Sequence, residues 1–274
     1  MRIGAHVRTP GGLRTAVDNA RAVGAEAVQL FLSNPRSWAG PRPETGERFG
    51  AEWREAGIGP LYVHAPYLVN IASPNPDFVV KSLELCRRSV VACAIAGAAG
   101  FVVHAGSGGP GEHAEAVSRA AGTLRLILEE TDGTDLIVEL MADTSGSVAS
   151  RWPEAAQLFE LVGDARLRLC GDTCHLFVTG YGLDTAEGVD ACFDELHASG
   201  LAERLVLVHA NDAKFARGSR RDRHENVGEG EIGLEGFRAV LHRPELADLS
   251  VVVETPHGGD AHRRDIERLR SVAP

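Results

Sequence analysis

The sequence predicts an α/β protein, a closed (β/α)8 TIM barrel, and three observations predict it. Short β-type apolar runs alternate with longer Ala-, Leu-, Glu- and Arg-rich segments, eight of each, which is the count of such a barrel. Six of the apolar runs end on a metal-ligand residue: LYVH at His64, FVVH at His104, LIVE at Glu139, LRLCGD at Asp172, LVLVH at His209 and SVVVE at Glu254. A parallel barrel brings the C-terminal ends of its strands to one rim, where catalytic groups gather. The length, 274 residues, suits a fold that commonly takes about 250. An open doubly wound sheet is the alternative, but its sites gather at one switch point and give no reason for ligand residues at so many strand ends.

In chain order, RIGAH predicts a strand near 2–6, followed by a helix near 11–23. AVQLF predicts a strand near 27–31, and the turn-rich loop SNPRSWAGPRP (33–43) leads to a helix near 45–56. LYV at 60–63 precedes a long Val-, Leu- and Ala-rich helix near 77–98, and FVVH at 101–104 precedes a helix near 113–130. DLIVE at 135–139 is followed by a helix near 152–163, and LRLCGD at 167–172 by one near 185–199. RLVLV at 204–208 is followed by an unusually long connection, 211–233, and a helix near 233–241. SVVVE at 250–254 and a helix near 260–271 complete the set. No linker or low-complexity tract splits the chain, so it reads as one domain over 1–274.

Composition narrows the function classes. Hydrophobic content of 44% supports a substantial core, and no apolar stretch approaches the ~18 residues of a membrane span. MRIGAHV reads as a first strand rather than a signal peptide, and five scattered cysteines without a CxxC pair read as a reducing, cytoplasmic setting. A net charge of −10 argues against a nucleic-acid partner when taken alone. Bound divalent cations would change that local balance wherever carboxylates converge.

The strand-end groups carry the chemistry. Imidazole is a good zinc ligand, and Glu139 supplies an oxygen that can bridge two metals. One strand-end His alone reads as a core histidine, and one strand-end Asp as a helix N-cap. Six together favour metal, because burying three carboxylates near one point without cations is costly. DTCH adds His175 beyond Asp172, and DRH adds Asp222 and His224, which share a side if that segment is extended. Together these make a site of two histidines and one aspartate with open coordination, the form of a catalytic zinc. His6 reads as rim support, and His257 and Asp143 as partners behind the ligands. Cys170 and Cys174 read as packing, and GEG at 228–230 as a turn.

At these residues the sequence resembles the endonuclease IV family of zinc-dependent apurinic/apyrimidinic (AP) endonucleases. HAPYLVN (64–70), CGDTCH (170–175) and HANDAK (209–214) followed by DRH (222–224) carry the likeness, which runs from IGAHV at 3–7 to VVVET at 251–255. The resemblance implies a trinuclear zinc site at the rim, with manganese an alternative at one position. His64, His104 and Glu139 would hold one metal; Glu139, Asp172, His209 and Glu254 a second; and His175, Asp222 and His224 the third. It implies a monomer acting on double-stranded DNA, cutting the phosphodiester 5′ to an abasic site and leaving a 3′-hydroxyl and a 5′-deoxyribose phosphate. Arg36 and Tyr67 would probe the minor groove, with Trp38 a further wedge or stacking residue. Lys214, Arg220 and their basic neighbours through Arg223 would contact phosphates, making binding more salt-sensitive than the net charge suggests. Two departures stand out. ELMAD (139–143) replaces the family's ENTAG, so that Leu140 removes a polar group expected beside the metals, and Gly171 replaces an aliphatic residue. A metal-dependent sugar isomerase or epimerase on the same barrel is the main alternative, and a non-catalytic damage binder the third.

Overall fold

A computed structural model of the chain describes residues 1–9 and 12–274. Gly11, where the first helix is expected to begin, lies outside the described residues. The strands are β1 (Arg2–His6), β2 (Val28–Leu30), β3 (Leu61–His64), β4 (Gly100–His104), β5 (Asp135–Glu139), β6 (Leu167–Asp172), β7 (Leu205–His209), β8 (Asp212–Ala213), β9 (His224–Glu225) and β10 (Ser250–Val253). All but β8 and β9 pair in parallel and close into a barrel in the order β1–β10–β7–β6–β5–β4–β3–β2. The helices are α1 (Arg14–Val23), α2 (Pro43–Ala56), α3 (Pro76–Ala96), α4 (His113–Glu130), α5 (Trp152–Val162), α6 (Thr173–Thr179), α7 (Ala186–Ala198), α8 (Gly233–Leu241) and α9 (Asp260–Val272).

The expected alternation is therefore present, with β5, β6, α4 and α8 at the expected bounds and most other ends within a residue or two. Two features were not expected. The helix α6 follows β6 at once, because the Asp172 carboxylate caps it, Oδ1 accepting from the His175 N–H at 2.9 Å. Within the long connection 211–233, β8 and β9 form a short antiparallel pair.

The two-residue period of a strand explains where the ligand-type residues point. Ala27, Tyr62, Val102, Ile137, Cys170, Leu207 and Val252 form a buried apolar cluster inside the barrel, separate from the larger core between strands and helices. Two residues further along the same strand paths stand Gln29, His64, His104, Glu139, Asp172, His209 and Glu254. Side chains two apart share a face. The polar layer therefore rests directly on the apolar one, at the C-terminal rim.

Candidate metal centre

Among the described residues, the nine ligand candidates fall into three groups whose donor atoms lie within 4.8 Å of one another. The groups are His64, His104 and Glu139; Glu139, Asp172, His209 and Glu254; and His175, Asp222 and His224. Glu139 is shared by the first two. Its Oε2 lies 3.0 Å from His64 Nε2 and 3.4 Å from His104 Nε2, and its Oε1 lies 3.2 Å from His209 Nδ1. His209 Nδ1 is also 3.2 Å from Glu254 Oε2. In the third group, Asp222 Oδ2 is 3.4 Å from His175 Nε2 and Oδ1 is 3.6 Å from His224 Nε2. The centre forms the base of a cavity of about 830 Å3.

Backbone carbonyls and one amide fix which ring nitrogen three of the histidines offer. His64 Nδ1 donates to Ala65 O at 2.8 Å, and His175 Nδ1 to Leu140 O at 2.8 Å, leaving each Nε2 facing a carboxylate. His209 is reversed. Its Nε2 donates to Gln29 Oε1 at 3.0 Å, so Nδ1 carries the inward lone pair. Gln29 Nε2 in turn donates to Glu254 Oε1 at 2.6 Å, and His6 Nδ1 lies 2.9 Å from the same oxygen. Asn211 Nδ2 donates to Asp172 Oδ2 at 2.6 Å, and its Oδ1 accepts from the Glu254 N–H at 2.7 Å.

His209 Nδ1 and Glu139 Oε1 are buried and without a hydrogen-bond partner. Two lone pairs 3.2 Å apart repel unless a cation or a proton stands between them. Five imidazoles and four carboxylates are donors suited to zinc or similar divalent cations, so the residues present fit a metal cluster. Electrostatics agree. Burial alone would lower the His209 pKa, but Cys170 and the Glu254 and Glu139 carboxylates hold it well above the usual range. Burial likewise opposes, and Asp172, Asp222 and Glu139 outweigh, for His175, whose pKa is also well raised. Asp222 is pulled down to about 2, its histidine partners overcoming the cost of burial.

Several expectations are corrected. Leu140 does not stand beside the cluster: its side chain is fully buried in the core between barrel and helices, and only its carbonyl reaches the site, through His175. The family's Asn position thus faces outward here, one residue out of phase with Glu139. His257 is exposed and makes no hydrogen bond to the cluster, and Asp143 pairs with Arg220 at 3.0 Å rather than with a ligand. At Gly171 the Trp152 ring occupies the outer face of β6, where an added Cβ would lie 3.2 Å from it. Cys170 belongs to the apolar layer inside the barrel, and burial pushes its thiol up to about 12. Cys174 is buried too, with Sγ beside Asp172 and His224.

The residues expected to touch DNA are spread around the mouth. Tyr67 is 65% exposed, lines the cavity and packs edge-on to Phe31, with ring centroids 5.1 Å apart. Arg36 is exposed on the neighbouring loop. Trp38 instead packs edge-on against Phe78, and Arg88 holds its carbonyl, which anchors the loop. Lys214 pairs with Glu225 at 3.7 Å. Gln29, Asn211 and Arg8, all unassigned from the sequence, prove to be part of the site or its mouth. Gln29 alone left a signal, as the one polar residue in AVQLF.

Comparison with known proteins places the chain among relatives. A family model described as "Xylose isomerase-like TIM barrel" matches residues 17–272. A Streptomyces avermitilis protein named "Probable endonuclease 4" is 38% identical over 278 residues, covering 98% of this chain and 89% of that one. The crystal structure of endonuclease IV from Thermus thermophilus superposes with a TM-score of 0.83 at 32% identity, covering 99% of this chain and 98% of that one. A D-tagatose 3-epimerase-like protein has a TM-score of 0.77 at 22% identity, covering 99% and 97% of the two chains, a likeness of fold.

Proposed function

This chain belongs to the endonuclease IV family, and from that premise we propose that it is a zinc-dependent AP endonuclease. It would hydrolyse the phosphodiester 5′ to an abasic site in double-stranded DNA as a single chain, leaving a 3′-hydroxyl and a 5′-deoxyribose phosphate. The observation that carries the reading is the third ligand group. His175, Asp222 and His224 converge on the same cavity as the other two groups, although they come from α6 and from the long connection after β7. A sugar isomerase or epimerase on this barrel has no use for that group.

Bound zinc would supply Lewis-acid charge to activate water and to offset the negative charge of the reacting phosphoryl group. The chain's own residues do the rest. Glu139 ties the first two ligand groups together, and Gln29 and His6 hold the Glu254 carboxylate in place. Tyr67 and Phe31 offer an edge-to-face aromatic lip to an extruded nucleotide, whose extrusion costs less where the base is missing. No side chain has to act as nucleophile.

The test is a nicking assay on duplex DNA holding one abasic site, with metal-replete protein and with chelator. We expect a chelator-sensitive nick with an extendable 3′-hydroxyl, and turnover reduced at least about 100-fold in Glu139→Gln. Wild-type turnover together with full metal content in that variant would defeat the assignment of Glu139. No nick from protein carrying three metals would defeat the nuclease reading.

A further inference from the structure

The cations around the mouth divide into two sets. On the side of the long connection after β7, the basic run is already engaged within the chain. Lys214 pairs with Glu225, Arg217 with Asp184 at 3.5 Å and Arg220 with Asp143 at 3.0 Å. Arg221 lies over the Phe215 ring at 3.5 Å, and Arg223 Nη1 donates to the Asp222 carbonyl at 2.7 Å. Two strand positions around the rim, the loops after β1 and β2 carry Arg8 and Arg42, and α1 begins at Arg14. All three are exposed, and none makes an ion pair among the described residues.

Arg8 lines the metal cavity and lies beside Gly258, on the adjacent loop after β10. A second groove of about 850 Å3, lined by Arg14 and Arg42, joins this cavity, with Thr9, Phe31 and Pro35 common to both. Arg48 and Glu52 also line the groove but pair with each other at 3.5 Å, which leaves Glu44 as the only uncommitted carboxylate among its lining residues. A polyanion gains most from cations that need not first give up a partner. We propose that the DNA strand leaving the metal centre runs through this groove, with Arg8 clamping a phosphate at the junction and Arg14 and Arg42 contacting phosphates beyond it. The phosphate track thus runs over the loops after β1 and β2 rather than over the basic run after β7 that the sequence singles out. This rests on the nuclease reading.

The experiment is equilibrium binding of the metal-loaded chain to an abasic duplex with a cleavage-resistant linkage at the scissile position, across a salt series. A phosphate contact removed lowers the slope of log K against log salt by about 1. We expect that loss in Arg8→Ala and in Arg42→Ala, roughly twice that in the double variant, and less than half of it in Lys214→Ala. A merely structural arginine would shift affinity without changing the slope. A wild-type slope in the double variant, with abasic DNA still bound and the unmodified duplex still cut, overturns the track and leaves the nuclease intact. A polyglutamate peptide that displaces the duplex at equal charge overturns the commitment to DNA backbone. Failure of the wild-type chain to bind or cut abasic DNA overturns both readings.

Discussion

Gln29 sets the geometry of the second ligand group, since the His209 ring and the Glu254 carboxylate both lean on its one amide. Replacing it with Leu keeps the volume but removes both bonds, so Gln29→Leu should weaken binding of one of the three proposed metals about 10- to 100-fold. Competition with a chromophoric chelator would show it as one weak site beside two unchanged ones; three unchanged sites would remove Gln29 from this role. Asp143 makes the opposite case. Its pair with Arg220 is exposed and worth at most ~1 kcal/mol, so Asp143→Asn should lower the melting temperature by no more than about 2 °C. If Arg220 has any phosphate to meet, freeing it should tighten DNA binding by up to about fivefold, the same energy read as affinity. Neither pairing is written in the residues' neighbours along the chain, since Gln29 meets partners 180 and 225 positions away.

At the level of elements, the strands and their terminal ligands were legible and the third ligand group much less so. A buried parallel strand declares itself as a compact apolar run, and the residue closing it inherits a position on the rim. The helix α6 has no such signature: all seven residues of TCHLFVT are buried, so no polar face marks a helical period. Asp222 and His224 sit in a connection whose path is set by Asp212, which was not foreseen. The Asp212 carboxylate accepts from the N–H groups of Ala213, Gly228, Gly230, Ile232 and Gly233, pinning both ends of the turn that follows β9. Asp212→Ala should therefore loosen that connection while sparing the barrel. On the proposed three-metal reading, metal content should fall by one per chain, with far-ultraviolet circular dichroism unchanged. Three tightly held metals would show that the hairpin holds itself.

Across the whole molecule, ten more acidic than basic residues coexist with a mouth where arginine is plentiful, so the net charge misreads the surface that matters. The centre's own charges also predict a pH dependence. His175 and His209 hold their protons well above the ordinary histidine range, and metal has to displace those protons to bind. Raised values mean that competition from protons persists to higher pH, so affinity should climb with pH through neutrality and loading of chelator-stripped protein should release protons into a weak buffer. Affinity independent of pH would contradict this. The apolar layer beneath the ligands has a consequence for the order of events. With Tyr62, Val102, Ile137, Leu207 and Val252 sealing the floor, the centre opens toward the mouth, where ions and substrate enter alike. Metals have to be aboard before a duplex seats itself, and a seated duplex becomes the lid that keeps them there, so saturating uncut DNA should slow their theft by chelator.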